Sequence, residues 1–243
     1  MKLHPDEAYA NGELRSFARR RMRKTTERQK RLIENVLPSC RIDISTPQQN
    51  PARSLFGKKA IKEIWLEIGF GGGEHLVWQA ENNKDVGFIG CEPFTDGAIK
   101  VLDAVEKQGL FNIKLYDDDA RHVLKWLPAE SLKRVFVLFP DPWPKKRHNK
   151  RRLLNVATLR LIANAMQPGG ELRVATDIGD YARSILVAFQ RSECFIWTAK
   201  TPRCWRVKPS DWPETRYERK ALAADRRCYY FCFKKREANL NKP

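Results

Sequence analysis

An alternation that begins near residue 60 constrains this chain more than any other feature. Apolar, β-rich runs stand at IWLEIGF (64–70), VGFIGCE (86–92), NIKLYD (112–117), RVFVLFP (134–140) and ELRVATD (171–177). Helix-like stretches at Glu74–Glu81, Thr95–Gln108, Leu153–Met166 and Tyr181–Gln190 separate most of them. Continuous apolar strands that alternate with helices predict an α/β fold with a parallel sheet covered on both faces. Two further runs, CFIWTAK (194–200) and CYYFCF (228–233), are expected to add edge strands.

In an open α/β sheet, ligands bind beyond the carboxyl ends of the strands. The first strand ends in Glu67-Ile68-Gly69-Phe70-Gly71-Gly72-Gly73. Glycines at 69 and 71 allow a tight turn and close backbone approach to a cofactor. The dinucleotide pattern GxGxxG fails in both frames, because Glu74 and Leu76 occupy the third glycine position. The second strand ends in Glu92, placed to grip ribose hydroxyls. The third ends in Asp117-Asp118-Asp119. Asp119 reads either as an acceptor for an adenine amino group or as the N-cap of a helix from Ala120. Acids at three strand ends oppose a phosphate-rich cofactor and favour one with a positive centre. S-adenosyl-L-methionine has a sulfonium, a ribose and no phosphate; NAD and ATP fit less well.

The fourth strand runs into Phe139-Pro140-Asp141-Pro142-Trp143-Pro144, then six cations: Lys145, Lys146, Arg147, Lys150, Arg151 and Arg152. One acid thus stands at the sheet with a cationic ramp leading away. The whole chain is basic, with 46 Lys and Arg against 29 Asp and Glu and a formal net charge of +17, which points to a polyanionic partner. Nine cations fall between Arg15 and Arg31. We read residues 1–50 as a basic arm and linker and 51–243 as the catalytic domain. Within the arm, Thr26 and Gln29 have capping-box spacing for a helix with an apolar face of Ile33, Val36 and Leu37, ended by Pro38. RIDISTPQQNP (41–51) reads as linker, and part of residues 1–25 as disordered. No run of 18 apolar residues spans a membrane, and Met1–Gly12 has no signal-peptide core. Six cysteines without a CxxC pair predict buried thiols and no metal site, in keeping with a reducing cytoplasm.

EIGFGGG (67–73), PDPWPKKRHNKRR (140–152), ATD (175–177) and TRYE (215–218), in that order, closely resemble the bacterial tRNA (guanine-N7)-methyltransferase family. The resemblance covers nearly the whole chain. It implies a class I, Rossmann-like methyltransferase fold, a mostly parallel seven-stranded sheet with its last strand antiparallel. It implies methyl transfer from S-adenosyl-L-methionine to the variable-loop guanine of tRNA. Carried over, Glu67, Glu92, Asp119 and Asp141 match the cofactor-site acids, and Asp141 also the catalytic position. Lys145, Asp177, Thr215, Arg216, Tyr217 and Glu218 match the substrate-site positions. The partner is tRNA rather than a membrane, and the protein is a monomer or a homodimer.

The chemistry suits these residue types. Guanine N7 carries an exposed lone pair, so no general base is needed, and His75 and His148 are not assigned one. Positive charge develops on the base as the methyl moves, and a carboxylate stabilises it. Asp141, Asp177 and Glu218 are the candidate acceptors for guanine's N–H donors. Asp177 reads equally as an N-cap before Ile178, Thr215 as a helix cap, and Trp143 as a base-stacking or a structural ring. Three rivals remain: a methyltransferase for exocyclic amines, a non-catalytic RNA-binding relic and a membrane-surface protein. The first places a different string after the fourth strand, and the intact acid set disfavours the second.

Overall fold

The computed structural model describes residues 25–47, 49–57 and 61–237. The arm's cations from Arg15 to Lys24, and the disorder expected there, lie outside the described residues.

Helix α1 (Glu27–Asn35) starts at Thr26 with the full capping box: Gln29 N–H donates to Thr26 Oγ1 and Thr26 N–H to the Gln29 side chain. Pro38 does more than stop it. The helix breaks at Val36, and Pro38 sits in the first turn of α2 (Leu37–Cys40), where its missing N–H has no role. Leu32 and Cys40 are buried against the body. Arg28 pairs with Asp103, Arg31 with Glu106 and Lys30 with Glu27, so these arm cations are already neutralised by the protein. The linker contributes to the body too: Ile42 is buried and its N–H donates to Leu115 O at 2.8 Å. A short α3 (Pro51–Phe56) leads to the sheet.

Strands β1 (Glu63–Ile68), β2 (Val86–Cys91), β3 (Ile113–Tyr116), β4 (Leu132–Leu138) and β5 (Met166–Thr176) run parallel. The sheet continues with β6 (Phe195–Trp197) and β7 (Tyr229–Lys235), giving the order β3-β2-β1-β4-β5-β7-β6. Only β7 is reversed, pairing antiparallel with both β5 and β6. One expectation is corrected here: CYYFCF is not an edge strand. Phe231 and Phe233 are buried and need neighbours on both sides, so the short β6, with Ile196 exposed, takes the edge.

Helices α4 (Glu74–Asn82), α5 (Thr95–Gln108), α6 (Ala120–Trp126), α7 (Val156–Ala165) and α8 (Gly179–Ser192) cover the faces. Helix α7 begins three residues later than Leu153, because Asn155 caps it by accepting from Thr158 N–H at 3.0 Å. Alternation along the strands splits the core in two. Leu66, Val135 and Val137 pack with α6, α7 and α8; Trp65, Phe136 and Leu138 pack with α4 and α5. Each fully buried aliphatic side chain contributes about 1.5–3 kcal/mol. After β6 come α9 (Arg203–Arg206) and α10 (Arg216–Ala223). The strand order reverses between β1 and β4, which opens a crevice at their carboxyl ends.

Candidate active site and its cationic rim

A cleft of about 500 Å³ occupies that crevice. Its wall takes Gly69 and Gly71 from the turn after β1, Glu92 after β2, Asp119 after β3 and Asp141 after β4. Gly71 has φ 54°, a left-handed conformation that side chains resist. A Cβ at Gly97, in the first turn of α5, would lie 1.9 Å from Gly71 O, so the helix can touch the turn only because position 97 is glycine. This close approach brings the Gly71 N–H to Glu92 Oε2 at 2.9 Å, while the Phe94 N–H reaches Oε1 at 3.0 Å. Burial pushes the Glu92 carboxyl above its ordinary value. The two amides pull it back, and Asp141 and Glu67 push it up further.

Asp119 meets both of its sequence readings at once. It caps α6 by accepting from Arg121 N–H at 2.9 Å, and it also lines the cleft. Burial by itself would raise its carboxyl; hydrogen bonds from the Arg121 side chain and amide outweigh burial and hold it below the usual range. Arg121 Nε lies 2.9 Å from Oδ1, and Nη2 bonds Oδ2. Asp117 turns away to Arg41, and Asp118 accepts from Asp119 N–H.

The segment after β4 is strained on both sides of Asp141. Phe139 (φ 50°) and Trp143 (φ 44°) both hold left-handed backbone, a conformation costing about 1–3 kcal/mol each that persists only where surroundings enforce it. Phe139 N–H donates to Ala175 O at 2.8 Å. On the far side, Arg152 donates from Nε to Pro142 O at 2.9 Å and from Nη1 to Ser184 Oγ at 2.9 Å. It also pairs with Asp180 and covers the Tyr181 ring at 4.8 Å. Arg152 is therefore not part of the ramp: it is a buried strut under the Asp141 loop. Asp141 lines the cleft at its solvent-exposed mouth, and partial desolvation by the cleft wall raises its carboxyl above the ordinary value. Trp143 lines the cleft with the Arg151 guanidinium 5.0 Å from its ring and His148 edge-on at 5.9 Å. Lys146, Arg147 and Lys150 stay exposed on the 3-10 turn Lys146–Arg151.

The remaining sequence candidates scatter. Glu67 is 4% exposed and off the cleft wall, with His75 Nδ1 2.7 Å from its Oε2. Gln79 lies 3.2 Å from His75 and donates to Asp211 O, so His75 is a core residue. Thr215 caps α10 by accepting from Glu218 N–H at 3.2 Å. That start aims Arg216 and Tyr217 at the cleft and Glu218 at the core. The Tyr217 ring reaches over Gly71, 3.0 Å from where a Cβ would stand. Glu218 accepts from Tyr230 OH at 2.5 Å and from Lys208 Nζ at 3.2 Å. Asp177 accepts from Arg226 Nε at 2.7 Å; it does not cap α8, whose N-cap is Ile178 without a side-chain bond. Lys145 is exposed, beside rather than in the cleft. Cleft residues the sequence reading missed are Arg121, Asn155 and Lys220. Helical spacing from Arg216 would have found Lys220, one turn on.

This strand order with one reversed strand, and the acid-walled cleft at its switch point, define a class I methyltransferase. The fold matches the 16S rRNA methyltransferase KamB with a TM-score of 0.55 at 15% identity, over 79% of this chain and 96% of that one, a likeness of fold alone. Residues 62–231 match the methyltransferase family model Methyltransf_4. The chain is 44% identical to the tRNA (guanine-N(7)-)-methyltransferase of Chelativorans sp. strain BNC1, over 89% of this chain and 93% of that protein. It is 43% identical to the tRNA (guanine-N(7)-)-methyltransferase of Rhodospirillum rubrum, over 92% of this chain and 89% of the relative. The chain belongs to the tRNA (guanine-N(7)-)-methyltransferase family.

Proposed function

We propose that this protein methylates N7 of the variable-loop guanine of tRNA, using S-adenosyl-L-methionine and forming 7-methylguanosine. The observation that carries the reading is the convergence of Glu92, Asp119 and Asp141 on one cleft bordered by Arg216, Lys220 and the basic turn 146–151.

The residues present fit the cofactor. A phosphate in this cleft would face three carboxylates, and the Gly71 amide that could cradle one already donates to Glu92. Glu92, pinned through both oxygens, keeps lone pairs for ribose hydroxyls; Asp119 is placed for the adenine amino group; Gly69 and Gly71 give close backbone approach. Bound here, the cofactor supplies an electrophilic methyl on a sulfonium. Asp141, ionised and facing the cleft, holds the guanine N–H edge and stabilises the positive charge that develops on the ring. The strained loop and the Arg152 strut keep it there before substrate arrives. Trp143, beside Asp141, supplies a ring for the unstacked base. Tyr217 and Arg216 close the cleft from α10, held by the Thr215 cap and the inward Glu218. Lys145 and the basic turn take phosphate, and Asp177 stands on the α10 side, paired with Arg226. Residues 1–50 act as arm and linker to the catalytic domain 51–243. With Arg28, Lys30 and Arg31 already paired, tRNA contact falls to the arm's cations before them. The setting is cytoplasmic; among the described residues no helix is long and apolar enough to cross a membrane.

The test is direct. The protein is incubated with unmodified tRNA and methyl-labelled S-adenosylmethionine, the RNA digested and the labelled nucleoside identified by mass spectrometry. Label in 7-methylguanosine is expected. Label in another nucleoside overturns the target, and tRNA binding without label overturns the activity.

A further inference from the structure

The segment between β6 and α10 entered the site above only through Lys208 and Asp211. Its first part, residues 198–210, holds Lys200, Arg203, Arg206 and Lys208 and no acidic residue; the two acids that follow, Asp211 and Glu214, pair with Arg173 and Arg219 instead. Lys200, Arg203 and Arg206 are exposed, and none meets a carboxylate among the described residues. Close-set like charges repel, and without a compensating acid they suit a polyanion.

The patch is also firmly seated. Trp205 stacks on Tyr229, centroids 6.0 Å apart and planes 13° from parallel, and the Arg206 guanidinium lies 4.7 Å from the Trp205 ring. Tyr229 pairs with Thr176, the last residue of β5, so α9 lies over the carboxyl end of the sheet, the end that carries the cleft. Lys208 ties the segment to Glu218 in α10, whose Arg216, Tyr217 and Lys220 line that cleft. Cations therefore flank the cleft twice: Lys145–Lys150 beyond β4, and Lys200–Arg206 beyond β5 and β7. A guanidinium held over an indole is preorganised and loses less freedom when it takes a phosphate.

We propose that Lys200, Arg203 and Arg206 form a second tRNA-contact face, gripping backbone phosphates remote from the target guanine while the basic turn 145–150 holds those near it. This rests on tRNA being the substrate.

Cys204 offers a native probe. It is exposed, whereas the other five cysteines are buried or half-buried, and hydrogen bonding with Thr201 brings its thiol down to about 7, so alkylation proceeds at neutral pH. Three double variants are compared with wild type: R203E/R206E, K146E/K150E on the basic turn, and R160E/R191E on exposed faces of α7 and α8 as a charge-matched control. R203E/R206E is expected to raise the KM for tRNA at least about tenfold and to flatten its log–log salt dependence by roughly 0.7–0.9 per lost phosphate contact. S-adenosylhomocysteine affinity, the folding control, stays at the wild-type value. Cys204 alkylation, mapped by mass spectrometry, is slowed by tRNA and not by S-adenosylhomocysteine. If R203E/R206E matches the control pair and tRNA leaves Cys204 alkylation unchanged while K146E/K150E still weakens tRNA, this proposal alone fails. If wild type forms no 7-methylguanosine and no variant alters tRNA binding, the tRNA reading fails with it.

Discussion

Asp141 and Asp119 share one cleft but have opposite electrostatics. Asp141 is exposed at the cleft mouth, and partial desolvation by the cleft wall disfavours its ionised form, so its folded pKa is raised from the unfolded value of about 3.9 by an effect that solvent partly screens. Stability from its protonated form is present below the unfolded value and lost as pH rises through the folded one. Because solvent screens an exposed group, D141N is expected to melt only slightly above wild type at neutral pH, with the gap closing below about pH 4; an equal gap at all pH values would refute the desolvation account. D141A is expected to lower kcat by at least about 100-fold while changing the S-adenosylhomocysteine dissociation constant less than about threefold. The acid limb of the wild-type pH–kcat profile should lie above the ordinary carboxylate range. Asp119 is held low by Arg121, so its contribution is present above its unfolded value and lost as pH falls. D119A, which removes both the cap and the Arg121 pair, should melt below wild type at neutral pH, by about 0.5–2 kcal/mol for the lost cap, with the gap narrowing as pH falls. The acidic identity of both positions is legible in the sequence; the sign of each shift is not, because burial and the Arg121 contact come from folding.

At the level of elements, two close contacts position the cleft. Helix α5 meets the glycine turn at Gly97, where an added Cβ collides with Gly71 O. G97A is expected to cost about 1–3 kcal/mol in thermal unfolding and to weaken S-adenosylhomocysteine binding, since Glu92 loses its alignment with the Gly71 amide. The second contact is Arg152 beneath the loop of Asp141. In the sequence it is the last of six cations and reads as one more phosphate ligand. Its side chain instead finds Pro142 O, Ser184 and Asp180 and becomes a strut. R152K is expected to lower kcat roughly 10–100-fold without changing the salt dependence of tRNA binding, since an ammonium lacks the planar fork. A flatter salt slope in R152K would return Arg152 to the ramp. Three helix starts were announced, since Thr26, Asp119 and Thr215 cap through their side chains; Asn155, which caps α7, was not, and that helix begins later than the sequence reading placed it. Asp177 shows the limit, because Arg226, 49 residues away, takes the carboxylate that local sequence would give to a helix end.

Across the whole molecule, the net charge of +17 is partitioned by folding. Arg28 and Arg31 neutralise acids on α5, Arg134 and Arg173 pair with Glu171 and Asp211, and Arg152 is buried. The cations left exposed near the strand ends form the rim on which a folded RNA would rest. Association should then be fast at low ionic strength and weaken steeply with salt. Removing residues 1–24 is expected to raise the KM for tRNA and flatten its salt dependence, with S-adenosylhomocysteine affinity unchanged. Unchanged tRNA kinetics after that deletion would leave the arm without a role in binding.

The sequence by itself determined the α/β class, the acids at the strand ends, the glycine turn and the basic segment after β4. These follow from local periodicity, capping residues and short-range spacing, which are properties of neighbouring residues. Only the tertiary structure decided which acids share the cleft. It drew Glu67 to His75 and Glu218 to Tyr230, placed Tyr217 over Gly71, moved β7 inside the sheet and turned Arg152 from a surface cation into a strut. Each of these outcomes matches a buried polar or apolar group to a partner distant in the chain, and the free energy of that match depends on burial that exists only once the fold has closed.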